Sequence, residues 1–121
     1  MRKQRHETYV CCPVEAALDF IGGKWKVAVI FQLMGGTKRF NQLQRIIPNI
    51  TRRMLTLQLR ELEADGLVFR KVYQEVPPKV EYSLTELGMT LKPIIMGLKT
   101  WGETYAPHYR EEVAVDDEQA V

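Results

Sequence analysis

Apolar residues recur along this chain first with the period of a helix and only later with that of a strand. Val14, Ala17, Leu18 and Ile21 stand at i, i+3, i+4 and i+7, one stripe on a helix surface. The helix is predicted to start at Cys12-Pro13, since proline at the first helical position lacks only an N–H that would have no partner there. Gly22-Gly23 ends it. Trp25, Val27, Ala28, Val29, Ile30, Phe31 and Leu33 then follow with few polar breaks. A helix apolar nearly all round is a buried one, so residues 24–34 are expected at the centre of the fold, closed by Gly35-Gly36.

Thr37-Lys38-Arg39 leaves room for a short strand. A helix over residues 40–47 puts Phe40, Leu43, Ile46 and Ile47 on one face. Pro48-Asn49-Ile50 is a tight connection, and the Thr51 hydroxyl suits the N-cap of the next helix. Ile50 and Leu55 hold the N′ and N4 positions of a hydrophobic staple. This helix runs to about residue 65, and Gly66 supplies a left-handed stop. Two helices joined by so short a turn predict a helix-turn-helix.

Residues 67–73 are rich in β-formers, and residues 80–84 alternate apolar and polar. Between them Pro77 and Pro78 cannot lie inside a strand, so residues 74–79 form the tip of a hairpin, expected to be basic. Thr85 caps a final helical region carrying Leu87, Leu91, Ile94, Ile95, Leu98, Trp101 and Tyr105, which Pro93 bends or splits. The fold class is therefore mainly α with a small β-hairpin wing (α+β), a winged helix-turn-helix. Residues 1–10 read as a flexible basic arm, residues 11–106 as one domain, and residues 107–121 as a disordered acidic tail.

With 121 residues, 45% hydrophobic and 26% charged, the composition is that of an ordinary globule. No apolar run is long enough for a membrane span, and no hydrophobic stretch follows the basic start as a secretory signal would require. A cytoplasmic protein with no membrane partner is expected. The net charge is only +2, but it is unevenly placed: residues 1–84 hold 14 Lys/Arg against 8 Asp/Glu, and residues 85–121 hold 3 against 7. Between Lys24 and Arg60 stand eight basic side chains and not one carboxylate, which points to a polyanion as partner.

Other chemistry is poorly supported. Cys11 and Cys12 are adjacent and cannot staple a fold, and His6 and His108 lie near opposite ends. There is no metal spacing, and no cofactor is implied. Glu15 and Asp19 at i, i+4 are more simply a solvated or ion-paired helix face than a catalytic pair. With no Gly-rich phosphate loop and no Ser–His–Asp set, an enzyme is not expected.

The helix after Thr51 carries the candidate chemistry. Leu55, Leu59 and Leu62 share the inner face, and Arg53, Thr56, Leu57 and Arg60 the opposite one, with Arg52 to one side. An anchored leucine face with donors on the outside is what a helix reading the major groove needs. Arginine can reach guanine O6 and N7 with two bonds, and threonine or leucine can touch a thymine methyl. Thr51 and the helix start suit a phosphate. Lys38, Arg39, Arg70, Lys71 and Lys79 would hold the DNA backbone or minor groove. The alternative for any single lysine is solubilising charge. For the domain it is a winged helix used for protein contacts.

The segments CPVEAALDFIGGKWKV, RFNQLQRIIPNITRRMLTLQLRELEADGLV and VPPKVEYSLTELG closely resemble the HxlR-type winged-helix transcription regulators of bacteria, relatives of the MarR group. The likeness spans roughly residues 11–102, and the motifs are specific in combination. It implies a homodimer on a near-palindromic operator, joined through the N-terminal helix and the C-terminal helices. Here these offer Val14, Leu18, Leu91, Ile95, Leu98, Trp101 and Tyr105. The stripe on the terminal helix also exceeds what so thin a domain can cover by itself. The small size, with no sensory domain, favours a repressor.

In some relatives the cysteine before this proline senses oxidants or electrophiles such as quinones and aldehydes, and Cys12 matches that position. A helix N-terminus, with Arg2, Lys3 and Arg5 nearby in sequence, would favour its thiolate. The competing reading is a half-buried cysteine acting as a small hydrophobe. With no distant second cysteine, an inter-subunit disulfide would need Cys11 or Cys12 of the partner, and otherwise the thiol would be capped or alkylated. A small-molecule inducer in a cleft between subunits stays open beside the thiol.

Overall fold

The computed structural model describes residues 12–106. Its elements are α1 (Pro13–Ile21), α2 (Trp25–Leu33), α3 (Phe40–Ile46), α4 (Arg52–Ala64), β1 (Val68–Tyr73), β2 (Lys79–Leu84), α5 (Glu86–Met89) and α6 (Lys92–Tyr105). The described residues fall into two compact units, divided after Thr90. The arm at 1–10, Cys11 and the tail at 107–121 lie outside the described residues.

In the first unit α2 is central, packed against α3, α4 and β2. Val29, Ile30 and Leu33 are buried, as are Leu55, Leu59 and Leu62 of α4. The leucines stand at i, i+4 and i+7, so one face of α4 is committed to the core. Truncating any of them to alanine would cost about 2–5 kcal/mol. Among the described residues the buried polar exception is Lys26, within α2 and ion-paired to Glu61 of α4.

The turn between α3 and α4 is short because Asn49 takes a left-handed conformation at φ 69°, which asparagine tolerates better than most residues. Ile47 and Ile50 are buried on either side of it. Ile47 is extended and lies outside α3, and Ile46 is turned partly to solvent, so the apolar face expected over 40–47 is narrower than its spacing suggests. The Thr51 hydroxyl accepts from the Met54 N–H at 3.0 Å. At the other end of α4, Gly66 (φ 79°) is left-handed. The Leu67 N–H bonds the Leu62 carbonyl at 2.9 Å and the Gly66 N–H the Glu63 carbonyl at 3.0 Å, a Schellman stop.

β1 and β2 pair antiparallel from Val68↔Leu84 to Tyr73↔Lys79. The strand at residues 37–39 is a single rung: Lys38 bridges Tyr82 through bonds of 3.0 and 2.8 Å. It goes no further because the next residue, Arg39, caps α3. Thr85 gathers the root of the hairpin. Its hydroxyl donates to the Gly66 carbonyl at 2.6 Å and accepts from the Gly88 N–H at 3.0 Å, and its own N–H bonds the Leu67 carbonyl at 3.1 Å. Gly88 permits this approach, since a Cβ there would collide with the Leu67 carbonyl.

The helical region after Thr85 splits at Thr90-Leu91, and Pro93 sits in the first turn of α6. On α6 the rings of Trp101 and Tyr105 lie 5.3 Å apart. Ile94, Met96, Leu98, Trp101 and Tyr105 are exposed, while Ile95 is buried.

Candidate nucleic-acid interface

The outer side of α4 follows from the burial of its leucines. Arg53, Leu57 and Arg60 are exposed, and Leu57 keeps 46% of its surface open to solvent. Thr56 is half-buried at the flank facing the hairpin. Thr51, Arg52, Arg53, Thr56, Leu57 and Arg60 line one open concavity along the helix. The residues expected to read DNA therefore share a surface, with Thr56 partly recessed.

Arg52 is turned to α3. Its Nη1 donates to Asn41 Oδ1 at 3.2 Å and Gln44 Oε1 at 3.4 Å, and the guanidinium lies 4.7 Å from the Phe40 ring. Arg39 is exposed at the start of α3, and the Lys38 ammonium reaches the Gly36 carbonyl at 3.5 Å. With Arg45, Arg52 and Lys79, Arg39 borders a second cleft between α3 and β2 that has no carboxylate in its wall.

The hairpin is less basic at its tip than expected. Residues 74–78 are exposed but carry Glu75 and no cation. The cations flank the tip and are engaged. Lys71 and Lys79 each lie 4.8 Å from the Tyr73 ring, and Lys79 pairs with Glu81 at 3.4 Å. The Tyr73 hydroxyl donates to Glu81 at 3.0 Å, which with the neighbouring Lys79 holds that carboxyl below its ordinary range. Arg70 pairs with Glu63 of α4 at 3.5 Å. Between α4 and the hairpin, Thr56, Arg60, Glu63, Arg70 and Tyr82 line a narrow crevice. Burial there raises the Tyr82 phenol above its usual value, against the pull of Arg70 and Arg60.

The acid-free stretch from Lys24 to Arg60 is thus not one surface. Lys26 faces inward, and Lys24 lies over the Trp25 ring, 4.7 Å from its centre. Sequence reasoning missed the Lys26–Glu61 pair and the Asn41 and Gln44 contacts. The one available signal was a lysine inside a helix that is otherwise apolar except for Gln32.

Of the residues expected at a subunit interface, Val14, Leu18, Leu98, Trp101 and Tyr105 are exposed, with Trp101 at 62% and Tyr105 at 70%. Leu91 is half-buried. Ile95 differs in that only 2% of its surface is open in the single chain. Cys12 is exposed, caps α1 through its carbonyl, which accepts from the Ala16 N–H at 3.0 Å, and is in no disulfide. Among the described residues there is no His/Cys/Asp/Glu cluster fit for a metal, and no helix is long and apolar enough to cross a membrane.

A leucine-anchored helix with a polar outer side, set behind a capped turn and beside a two-stranded wing, makes this a helix-turn-helix transcriptional regulator. Residues 20–110 match the HxlR-like helix-turn-helix family, and the chain belongs to it. It is 59% identical over 111 residues, 89% of each chain, to the HTH-type transcriptional regulator YybR of Bacillus subtilis. Among solved structures it is similar to the redox regulator HypR in its reduced form, with a TM-score of 0.78 and 59% identity over 83% of this chain and 99% of that one. It is also similar to the reduced transcriptional regulator YodB of B. subtilis, with a TM-score of 0.69 and 36% identity over 81% and 97%. The family and these relatives are regulators of transcription, not enzymes.

Proposed function

We propose that the protein is a sequence-specific DNA-binding regulator, acting as a homodimer on a near-palindromic operator, with α4 in the major groove. The observation that carries this reading is the exposure of Arg53 and Arg60 on the side of α4 opposite its three buried leucines. Arg53 and Arg60 are assigned to base edges, with Thr56 and Leu57 as contacts for thymine methyls or polar edges. Thr51, Lys38, Arg39, Arg70 and Lys79 are assigned to the backbone, where they add affinity but little sequence information. Two copies of α4 would stand about 34 Å apart, one DNA turn, or a multiple of it.

Fluorescence anisotropy on the DNA flanking the protein's own gene tests this. Arg53→Glu with Arg60→Glu should abolish binding to the selected site, and the wild type should lose orders of magnitude in affinity over a few-fold rise in salt. Unchanged binding and an unchanged salt slope in the double variant would remove α4 as the reader.

Cys12 supports a second part of the reading, a response to oxidants. It is exposed at the start of α1, and HypR, a close relative, is described as a redox regulator. Joining Cys12 to Cys11 or Cys12 of a second subunit would form one S–S bond and pass two electrons and two protons to an oxidant such as diamide. Alkylation by a quinone would instead form one C–S bond. Either change would disturb α1 and through it the spacing of the two reading helices, releasing a repressor from its operator. Cys12→Ser should hold the same DNA in diamide that releases the wild type, and equal release of both would end the sensor assignment.

A further inference from the structure

We propose that Arg52 is a positioning residue that sets the angle at which α4 is presented to DNA, and is not one of the groups that read it. The inference rests on the α4 reading above. Arg52 stands in the first turn of α4, yet its guanidinium is spent on α3. One nitrogen, Nη1, bonds Asn41 and Gln44, which are three residues apart and so share a helix face. The guanidinium lies over the Phe40 ring one turn before Gln44. Gln44 in turn donates from Nε2 to the Ile50 carbonyl at 3.5 Å. The network therefore runs from the carbonyl of Ile50, through Gln44 and Arg52, to Asn41, and it spans the turn that sets the crossing of the two helices.

This is work for an arginine. A guanidinium can bond two acceptors from one nitrogen while its flat face rests on an aromatic ring, whereas a lysine ammonium at the same place keeps the charge and loses the planar face. The lever is long: Arg60 is eight residues further on, about 12 Å along the axis at 1.5 Å per residue, so a tilt of about 10° at Arg52 moves it by about 2 Å. A bidentate bond to guanine does not survive such a shift, although a phosphate contact can relax to follow it. Loosening the network should therefore erode discrimination between sequences more than general attraction to DNA.

The test compares Arg52→Lys, Arg52→Ala, the Asn41→Ala/Gln44→Ala pair, and Arg60→Ala. The probes are the duplex selected by the wild-type protein from a random pool and a random-sequence duplex of equal length, each over a range of salt. Thermal melts confirm that every variant is folded. A positioning role predicts that Arg52→Lys keeps the wild-type salt slope yet loses tenfold or more in preference for the selected duplex. The Asn41/Gln44 pair should show a similar loss, and combining it with Arg52→Lys should add little. If Arg52→Lys matches the wild type, or if Arg52→Ala weakens both duplexes equally and lowers the slope by about one, Arg52 is a phosphate contact and the proposal fails. Arg60→Ala separates the two ideas. Loss of preference there with none in Arg52→Lys sinks the positioning role alone, while full preference in Arg60→Ala overturns the α4 reading and the positioning role with it.

Discussion

The ammonium of Lys26 and the carboxylate of Glu61, 35 residues apart in sequence, form an ion pair that ties the central helix to the helix proposed to read DNA. Only 10% of the Lys26 side chain and 20% of the Glu61 side chain remain open to solvent. Taking both charges out of water is costly, so the pair contributes little net stability, but removing one member strands the other. Glu61→Ala should lower the unfolding free energy by about 3 kcal/mol, the low end for a buried pair because both side chains keep some exposure. Lys26→Met combined with Glu61→Leu should recover most of that loss. Urea unfolding of the two variants measures both, and a Glu61→Ala protein within error of the wild type would show the pair to be dispensable.

On α6 Leu98, Trp101 and Tyr105 are exposed and form an apolar stripe, the kind of surface that commonly serves for contacts. If a second copy covers it, Trp101→Glu places a charge in the interface and should turn a dimer into a monomer in light scattering at micromolar concentration. The same variant should bind a single half-site weakly and the full operator no better, because two readers are no longer held together. A wild-type protein that is itself monomeric would refute the dimer.

Tyr82 gives a prediction in alkali. Its phenol is raised above 10.0 chiefly by burial in the crevice between α4 and the wing. A group whose folded pKa lies above its unfolded value contributes stability that is complete below the unfolded value and is lost as pH rises through the folded one. The unfolding free energy should therefore fall as pH climbs past about 10, and Tyr82→Phe should remove that part of the slope. Phenolate absorbance should show one tyrosine ionising later than free tyrosine. A Tyr82→Phe protein with the same alkaline slope would contradict the assignment.

Much of this architecture was legible because it is local. The Leu55, Leu59 and Leu62 stripe, the Thr51 cap, the Gly66 stop and the two prolines of the wing each state their conformation within a few residues. What the sequence hid was direction. Eight cations without a carboxylate say how much charge is present but not where it points, and folding sent Lys26 inward and Arg52 onto α3. Arg70 and Lys79 likewise meet Glu63 and Glu81, partners that a linear charge count treats as neighbours only by chance. Ile95 falls in the same stripe as Leu98, and no spacing rule tells which member of a wide stripe is buried and which is exposed.

Thr85 suggests how this regulator can change its reach without losing its grip. One hydroxyl joins the end of α4, through Gly66, to the start of α5, through Gly88, and its own amide holds Leu67 where the hairpin leaves the helix. The loop at residues 74–78 hangs from the far end of that anchored ladder. Longer or differently charged loops could be grafted there, altering the reach of the wing while α4 stays fixed at its base.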